Sequence, residues 1–287
     1  MSLLDIAVLA VVQGMAELLP VSSSAHVVVT EKLLGLDPSS PPMTLLLVML
    51  HTGTMFAVIV YFWKQWQSTY LESRAVFKRI AWLLVFATAL TGLMGEAVIK
   101  LIERTLFRGH PHAMIEDLFG HLELIAPALA VVGILILIAG IFERRTPPMT
   151  ATSDNLTLRH AGVIGAIQGL CLPFRGFSRS GATISTGMLM GLGKSQAEAF
   201  SFALAVILTP PVVTREIWRL IYVEQAGEAA TVTAIFSSML GAALAFLAGL
   251  VALRWLSRWL EAGRWYLFGI YCLLAAIAVG YLHHLGY

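Results

Sequence analysis

The sequence predicts an all-α polytopic membrane protein: six transmembrane helices plus two re-entrant helix–break–helix segments in an inverted-topology repeat. Three observations predict it. Hydrophobic residues make up 58% of the 287 and charged residues 13%, against roughly 45–50% and about 25% in soluble domains, which excludes a soluble enzyme. The charges collect between apolar runs long enough to cross about 30 Å of hydrocarbon. Two further apolar stretches are each interrupted by a polar cluster, and the two interruptions resemble one another. The net charge of +2 is scattered over loops, so no nucleic-acid partner is expected.

In chain order, the apolar run that opens at Leu3 has no Lys or Arg before it and is interrupted by Asp5 and Glu17. It reads as mature sequence and not as a signal peptide. Within 6–30, Pro20 and Ser22-Ser23-Ser24 break the run into two half-helices. Spans are expected at 44–63, 80–101 and 122–142. A second broken stretch, 160–192, carries Pro173, Arg175, Gly176 and Ser178-Arg179-Ser180. Three more spans are expected at 197–222, 232–253 and 265–284, the first of them kinked at Pro210-Pro211, where two N–H donors are missing. Cys171 and Cys272 lie in apolar runs and read as small buried core residues, with no disulfide or cysteine metal site indicated.

Polar, broken segments are tolerated at membrane depth only where they are buried in protein or line a wet cavity. The first break reads QGMAELLPVSSSA over 13–25 and the second QGLCLPFRGFSRSGA over 168–182. Both have Gln-Gly, Leu-Pro and Ser-x-Ser followed by a small residue, with Gln13 opposite Gln168 and Ser22 opposite Ser178. Three spans follow each break. Three is odd, so the second copy enters from the opposite side. The chain is expected to be one membrane domain, 1–287, with repeat halves of about 1–145 and 155–287.

Loop charge tests the topology separately. Loops at 64–79, 143–159, around Lys194 and at 254–264 hold eleven of the nineteen Lys and Arg, Arg74, Arg144, Arg145 and Arg258 among them. The other face holds Lys32, Lys100, Arg104 and Arg108, with Arg215 and Arg219 near a helix end, and the loop at 223–230 has only Glu224 and Glu228. The positive-inside rule then puts both termini outside. On that topology the first break opens from outside, the second from the cytoplasm, and the two meet near the midplane.

Ionisable groups inside a membrane cost about 2.5–3.5 kcal/mol each and mark function or a paired contact. The first break offers Gln13, Glu17, Ser22, Ser23, Ser24 and His26. Gln13 and Glu17 are four apart and share a helix face. Their oxygens would suit a hard divalent cation, Mg²⁺ or Ca²⁺; the alternative is a hydrogen-bonded cluster that caps a broken helix. The second break offers Ser178, Arg179, Ser180 and Thr183 around a half-helix N-terminus, whose free N–H groups attract anions. Arg179 adds a planar fork matched to phosphate oxygens; the alternative is an ion pair with Glu17. Glu96 and Lys100 should pair along one helix face. His51, Glu198, Arg215 and Glu216 read as satisfied structural or interfacial contacts, and His283 and His284 as solvated residues.

A carboxylate, a histidine, hydroxyls and an arginine suggest phosphoryl chemistry on a substrate whose tail stays in lipid. The stretches QGMAELLPVSSSAH and GFSRSGATISTGMLMG resemble the two signature motifs of bacterial undecaprenyl-diphosphate phosphatases of the BacA/UppP type, over nearly the whole chain. The resemblance implies hydrolysis of undecaprenyl diphosphate to undecaprenyl phosphate, which recycles the lipid carrier of peptidoglycan synthesis and can confer bacitracin resistance. It also implies a multi-pass protein of the bacterial inner membrane, and the loop charge puts the site on the outer, periplasmic side. Family roles carry over to Gln13, Glu17, Ser23, His26, Ser178, Arg179 and Thr183.

On this reading Glu17, Ser23, His26 and Arg179 are catalytic, and Ser22, Ser24, Ser178, Ser180, Thr183 and Arg179 bind the substrate. Glu17 and Gln13 hold Mg²⁺ or Ca²⁺; Ser23, His26 and water remain open as the nucleophile. The partners are a polyprenyl diphosphate and membrane lipids, and a homodimer is compatible with the reading. The chain departs from the family pattern in three places. Gln13 stands for a Glu, Phe174-Arg175 are inserted before Gly176, and Ser24-Ala25 replace a Thr-Gly pair. The phosphatidic-acid phosphatase type 2 group needs a His where this chain has Ser185, so that pattern fails. The non-enzymatic rival is a transporter or flippase of polyprenyl phosphates or other lipids.

Overall fold

Lipid offers no hydrogen-bond partner to a peptide group, so apolar segments of this composition satisfy their backbone internally, as helices. The computed structural model describes residues 2–36, 41–105, 122–143, 156–222 and 228–285, and among them it is all-helical. The helices are α1 (Leu3–Leu18), α2 (Ser23–Leu34), α3 (Pro41–Thr69), α4 (Arg74–Thr105), α5 (Leu122–Glu143), α6 (Leu158–Cys171), α7 (Arg179–Leu189), α8 (Lys194–Tyr222), α9 (Glu228–Glu261) and α10 (Trp265–His284). The order is two short helices then three long ones, twice. Arg108, Arg144, Arg145 and Glu224, which enter the topology argument, lie outside the described residues, as do the side chains of Arg215, Glu216 and Arg219.

Five helices are long and apolar enough to cross a membrane: Met43–Thr69, Arg74–Thr105, Leu122–Phe142, Ile235–Glu261 and Trp265–His284. This makes the chain a multi-pass membrane protein. Six spans are expected from the sequence. The remaining one corresponds to α8, a 29-residue helix whose second half has side chains outside the described residues; it is not among the five. At 1.5 Å per residue α8 is about 43 Å long. Its helix continues through Pro210 and Pro211, and Thr209 and Thr214 donate their hydroxyls to the carbonyls of Ala205 and Pro210 at 2.8 Å each.

Both broken segments begin alike. Ser2 and Asp5 close a capping box on α1: the Ser2 N–H donates to Asp5 Oδ2 at 2.6 Å and the Asp5 N–H to Ser2 Oγ at 3.1 Å. The donation from the Ser2 backbone, more than any other cause, holds the Asp5 carboxyl below the usual carboxylate range. Thr157 and His160 close the corresponding box on α6. Each box satisfies N–H groups that a helix start leaves without partners.

The chain forms two compact units. The first comprises Met1–Leu19, Ser23–Trp63 and Ala205–Leu256; the second comprises Pro20–Ser22, Lys64–Leu204 and Ser257–Tyr287. In the first unit, Ile6, Leu9 and Ala10 of α1 form a core with Val27, Met43, Leu46, Leu50 and Ala245. Small residues set the spacing there. A Cβ on Gly14 would lie 2.7 Å from the Ala245 carbonyl oxygen, and one on Gly53 only 2.1 Å from that of Ala242, so α1 and α3 both press their backbones against α9.

The second unit uses the same device. α6 lies on α4, where a Cβ on Gly165 would meet the Ala87 carbonyl at 2.3 Å and one on Gly169 that of Thr91 at 2.5 Å. The Thr91 hydroxyl crosses this contact to the Gly165 carbonyl at 2.9 Å, and Gln168 Nε2 donates to Thr91 Oγ1 at 3.2 Å. α5 and α10 meet at Gly133, Gly140 and Gly269. Contacts between small residues are how membrane helices approach closely when burial from water provides no driving force between them.

The Gly53 contact predicts a contrast. Gly53→Ala puts a methyl against backbone that cannot move aside alone and should destabilise the protein by about 1–3 kcal/mol. Gly92→Ala adds its methyl where nothing lies within 4 Å and should leave the melting temperature in detergent unchanged or raised. Equal melting temperatures for the two variants would contradict the packing account.

Candidate active site

Leu19 precedes a proline, which disfavours the helical conformation. The chain accordingly leaves α1 there in an extended conformation, ψ 150. Two residues past the proline, Ser22 has φ 68, and it is the one non-glycine with positive φ among the described residues. A serine held in the left-handed region costs of order 1–3 kcal/mol and persists only where its surroundings over-determine it. Ser22 is buried, and the break it belongs to is tied in place: the Cys272 thiol donates to the Pro20 carbonyl at 3.3 Å.

This reversal brings the start of α2 back to the end of α1. The Ser23 hydroxyl donates to Glu17 Oε2, and Gln13 Nε2, one turn earlier on α1, donates to the same oxygen at 3.2 Å. His26 follows Ser23 by three residues, on the same face of α2, and is half-buried, as are Ser23 and Ser24. Glu17 is a largely buried carboxylate whose neighbours are arranged to donate to it.

One neighbour was not expected. His51, which the sequence places among structural or interfacial contacts, comes from α3 to within 3.7 Å of Glu17 Oε2 by its Nε2. Its Nδ1 lies 2.8 Å from the Leu47 carbonyl oxygen. A carbonyl only accepts, so Nδ1 carries the proton and Nε2 is the atom presented to Glu17. The side chain is 46% exposed, against 13% for Glu17. The signal available in the sequence was an ionisable residue inside the apolar run of α3; its distance along the chain from the motif concealed the partnership.

The second break is built differently. Gly176 takes the left-handed conformation, φ 96, and a Cβ there would lie 2.6 Å from the Ile125 carbonyl. Ser178 caps α7, its hydroxyl accepting from the Gly181 N–H at 3.2 Å and standing 3.5 Å from Ser180 Oγ. Arg179, the first residue of α7, is half-buried, as is Arg175. Thr183 is fully buried; its hydroxyl donates to the Arg179 carbonyl at 2.8 Å and lies 2.6 Å from Ser201 Oγ. That places Thr183 as a brace beneath Arg179. Ser185 accepts from the buried Trp265 indole at 2.9 Å, a structural contact.

Other polar residues pair as the sequence suggests. Lys100 meets Glu96 at 2.8 Å, and Ser257 donates to the buried Glu198 at 2.7 Å. His283 lies 3.5 Å from Glu123, a neighbour the sequence did not indicate. Both cysteines are buried and unbridged.

Among the described residues, no three His, Cys, Asp or Glu side chains come together as a metal cage. The expected donors, Glu17 and Gln13, offer one carboxylate and one amide. Mg²⁺ commonly binds through one or two carboxylates and completes its shell with water and substrate phosphates. The donor set fits a cation held jointly with a phosphate substrate, and not a site closed by protein alone.

These features define a multi-pass helical membrane protein with a carboxylate-centred break between two half-helices. A family described as "Bacitracin resistance protein BacA" matches residues 6–278, and the chain belongs to that family. An Acinetobacter baylyi protein named undecaprenyl-diphosphatase 2 is 54% identical over 277 residues, covering 95% of each chain. A Rhodopirellula baltica undecaprenyl-diphosphatase is 34% identical over 96% of each. An Anaeromyxobacter protein of the same name is 32% identical over 98% of this chain and 88% of its own.

Proposed function

We propose that the protein hydrolyses undecaprenyl diphosphate to undecaprenyl phosphate and phosphate in the bacterial inner membrane, recycling the lipid carrier of peptidoglycan synthesis. Family membership and the names of its relatives support the activity. The observation that carries the mechanism is the hydrogen bond from the Ser23 hydroxyl to the Glu17 carboxylate. A hydroxyl already donating to a carboxylate is the arrangement of a nucleophile and its base.

Ser23 Oγ attacks the terminal phosphorus as its proton passes to Glu17. The anhydride bond breaks and undecaprenyl phosphate leaves. Water then attacks the phosphoserine and gives one proton to His26 for release, the P–Oγ bond breaks, and the proton on Glu17 returns to Ser23 Oγ. The Gln13 amide holds Glu17 in its rotamer, and His26 serves as the second proton-transfer group. Arg179, Ser178 and Ser180 at the start of α7 bind the phosphate oxygens, with Thr183 bracing the turn that presents Arg179; Ser22 and Ser24 line the substrate's approach. A divalent cation, if held by Glu17 and Gln13, would supply charge neutralisation to the diphosphate.

The remaining features belong to the same reading. The repeat is inverted, with re-entrant α1–α2 and α6–α7 segments. The recurring element order, the paired capping boxes, and the parallel packing of α1 on α9 and α6 on α4 support this. The first break opens to the periplasmic side. Cysteines introduced near Lys32 should be labelled by an impermeant reagent in intact cells, and cysteines near Arg74 should not; labelling of both would overturn this topology.

Purified protein should release phosphate from a long-chain prenyl diphosphate, lose that activity in chelator, and regain it with Mg²⁺ or Ca²⁺. Lipid movement across vesicles without phosphate release would favour a transporter. Full activity in chelator would remove the cation from the account.

Arg179→Lys should also be far from conservative. A guanidinium presents two parallel donors, whereas an ammonium is a point charge on a flexible stem. Losing one preorganised contact to developing phosphoryl charge costs about 2.7–4 kcal/mol, or about 10²–10³ in rate. Turnover should collapse with the melting temperature preserved, and near-normal turnover would mean that Arg179 does not bind the phosphate.

A further inference from the structure

We propose that His51 is a ligand of the divalent cation at Glu17, so that this chain binds metal through an imidazole nitrogen as well as through oxygen. The inference rests on the reading of Glu17 as a cation ligand and extends it to a residue outside both signature motifs.

Geometry comes first. His51 Nε2 and Glu17 Oε2 are 3.7 Å apart, too far for a hydrogen bond, which prefers about 2.7–3.2 Å. Two ligands bound to one cation at about 2.1–2.2 Å, 90–120° apart, are separated by about 3.0–3.8 Å. The Gln13 amide stands 3.2 Å from the same carboxylate oxygen, within that range too. Rotating the amide exchanges nitrogen for oxygen without changing its shape, which turns a hydrogen-bond donor into a ligand.

The histidine is also prepared for this role. Metal-binding histidines almost always donate their other ring N–H to a carbonyl or carboxylate, which fixes the tautomer and aims the free nitrogen. Nδ1 of His51 meets the Leu47 carbonyl at 2.8 Å, and the atom this leaves free is the one that faces Glu17. The side chain is 46% exposed, so the ring is open to a cation that arrives with part of its water shell.

The chemical consequence is a shift in preference. The sequence leads to Mg²⁺ or Ca²⁺ because it counts only oxygens. An imidazole ligand tilts the site away from Ca²⁺ and Mg²⁺, which take oxygen, and toward first-row divalent ions; Mn²⁺, the hardest of these, is the paramagnetic probe of that tilt. His51 would supply a third donor beside the Glu17 carboxylate and the Gln13 amide.

The test uses full-length, tag-free protein in nanodiscs with Mn²⁺ alone as the probe, read by pulsed electron paramagnetic resonance and by titration. The wild type should show nitrogen hyperfine coupling from a bound imidazole and should bind Mn²⁺ more tightly than Ca²⁺. His51→Gln should lose the coupling and weaken Mn²⁺ binding about tenfold or more, with the melting temperature retained. Coupling that persists in His51→Gln and disappears in His26→Gln would overturn the assignment. Glu17→Gln separates the two levels of the argument. If it leaves Mn²⁺ binding intact, the cation does not sit at Glu17 and the parent reading fails. If it abolishes binding while His51→Gln changes nothing, only the role of His51 is lost.

Discussion

A buried peptide group must find its hydrogen bonds within the protein, and the first polar cluster of this molecule follows from where a helical ladder stops. At Leu19-Pro20-Val21-Ser22 the helical ladder stops in apolar surroundings. The break survives because its groups are met one by one: Leu19 by the Met15 carbonyl and Pro20 by the Cys272 thiol. Ser22 accepts the left-handed conformation that turns the chain back. The reversal returns Ser23 to Glu17, a contact a continuous helix could not make, since residues six apart lie on different faces. The chemistry of the first cluster is therefore a product of the interruption.

Close backbone packing makes such a break sustainable. α1 can carry Gln13 and Glu17 on a fixed face because Gly14, between them in sequence, seats its backbone against α9. α6 is held on α4 in the same way by Gly165 and Gly169, with Gln168 fixed to Thr91 across the contact. In water a break of this kind would be solvated and mobile. Here the small-residue contacts keep it in one geometry, which a preorganised site requires.

Much of this was legible in the sequence. The long helices follow from apolar length, and both breaks from Pro-Ser and Pro-Gly-Ser clusters inside apolar runs. Gln13, Glu17 and Ser23 do meet. What the sequence concealed is tertiary. His51 lies on α3, and no local spacing connects it to Glu17. Thr183 sits in a motif beside Arg179, yet its hydroxyl is directed to Ser201, eighteen residues on, because α7 packs that face against the start of α8. Pro210 and Pro211 lie inside α8, which continues past them as a helix with the Thr209 and Thr214 hydroxyls on the Ala205 and Pro210 carbonyls.

The central claim is that the carboxylate at this break receives the proton of a serine that attacks phosphorus. A rapid-quench single turnover with undecaprenyl diphosphate labelled in its terminal phosphate tests it most directly. The account predicts covalent label on the peptide containing Ser23, appearing before free phosphate and decaying as phosphate accumulates. Free phosphate rising from the first time point, with no label on the chain at any quench time, would contradict it.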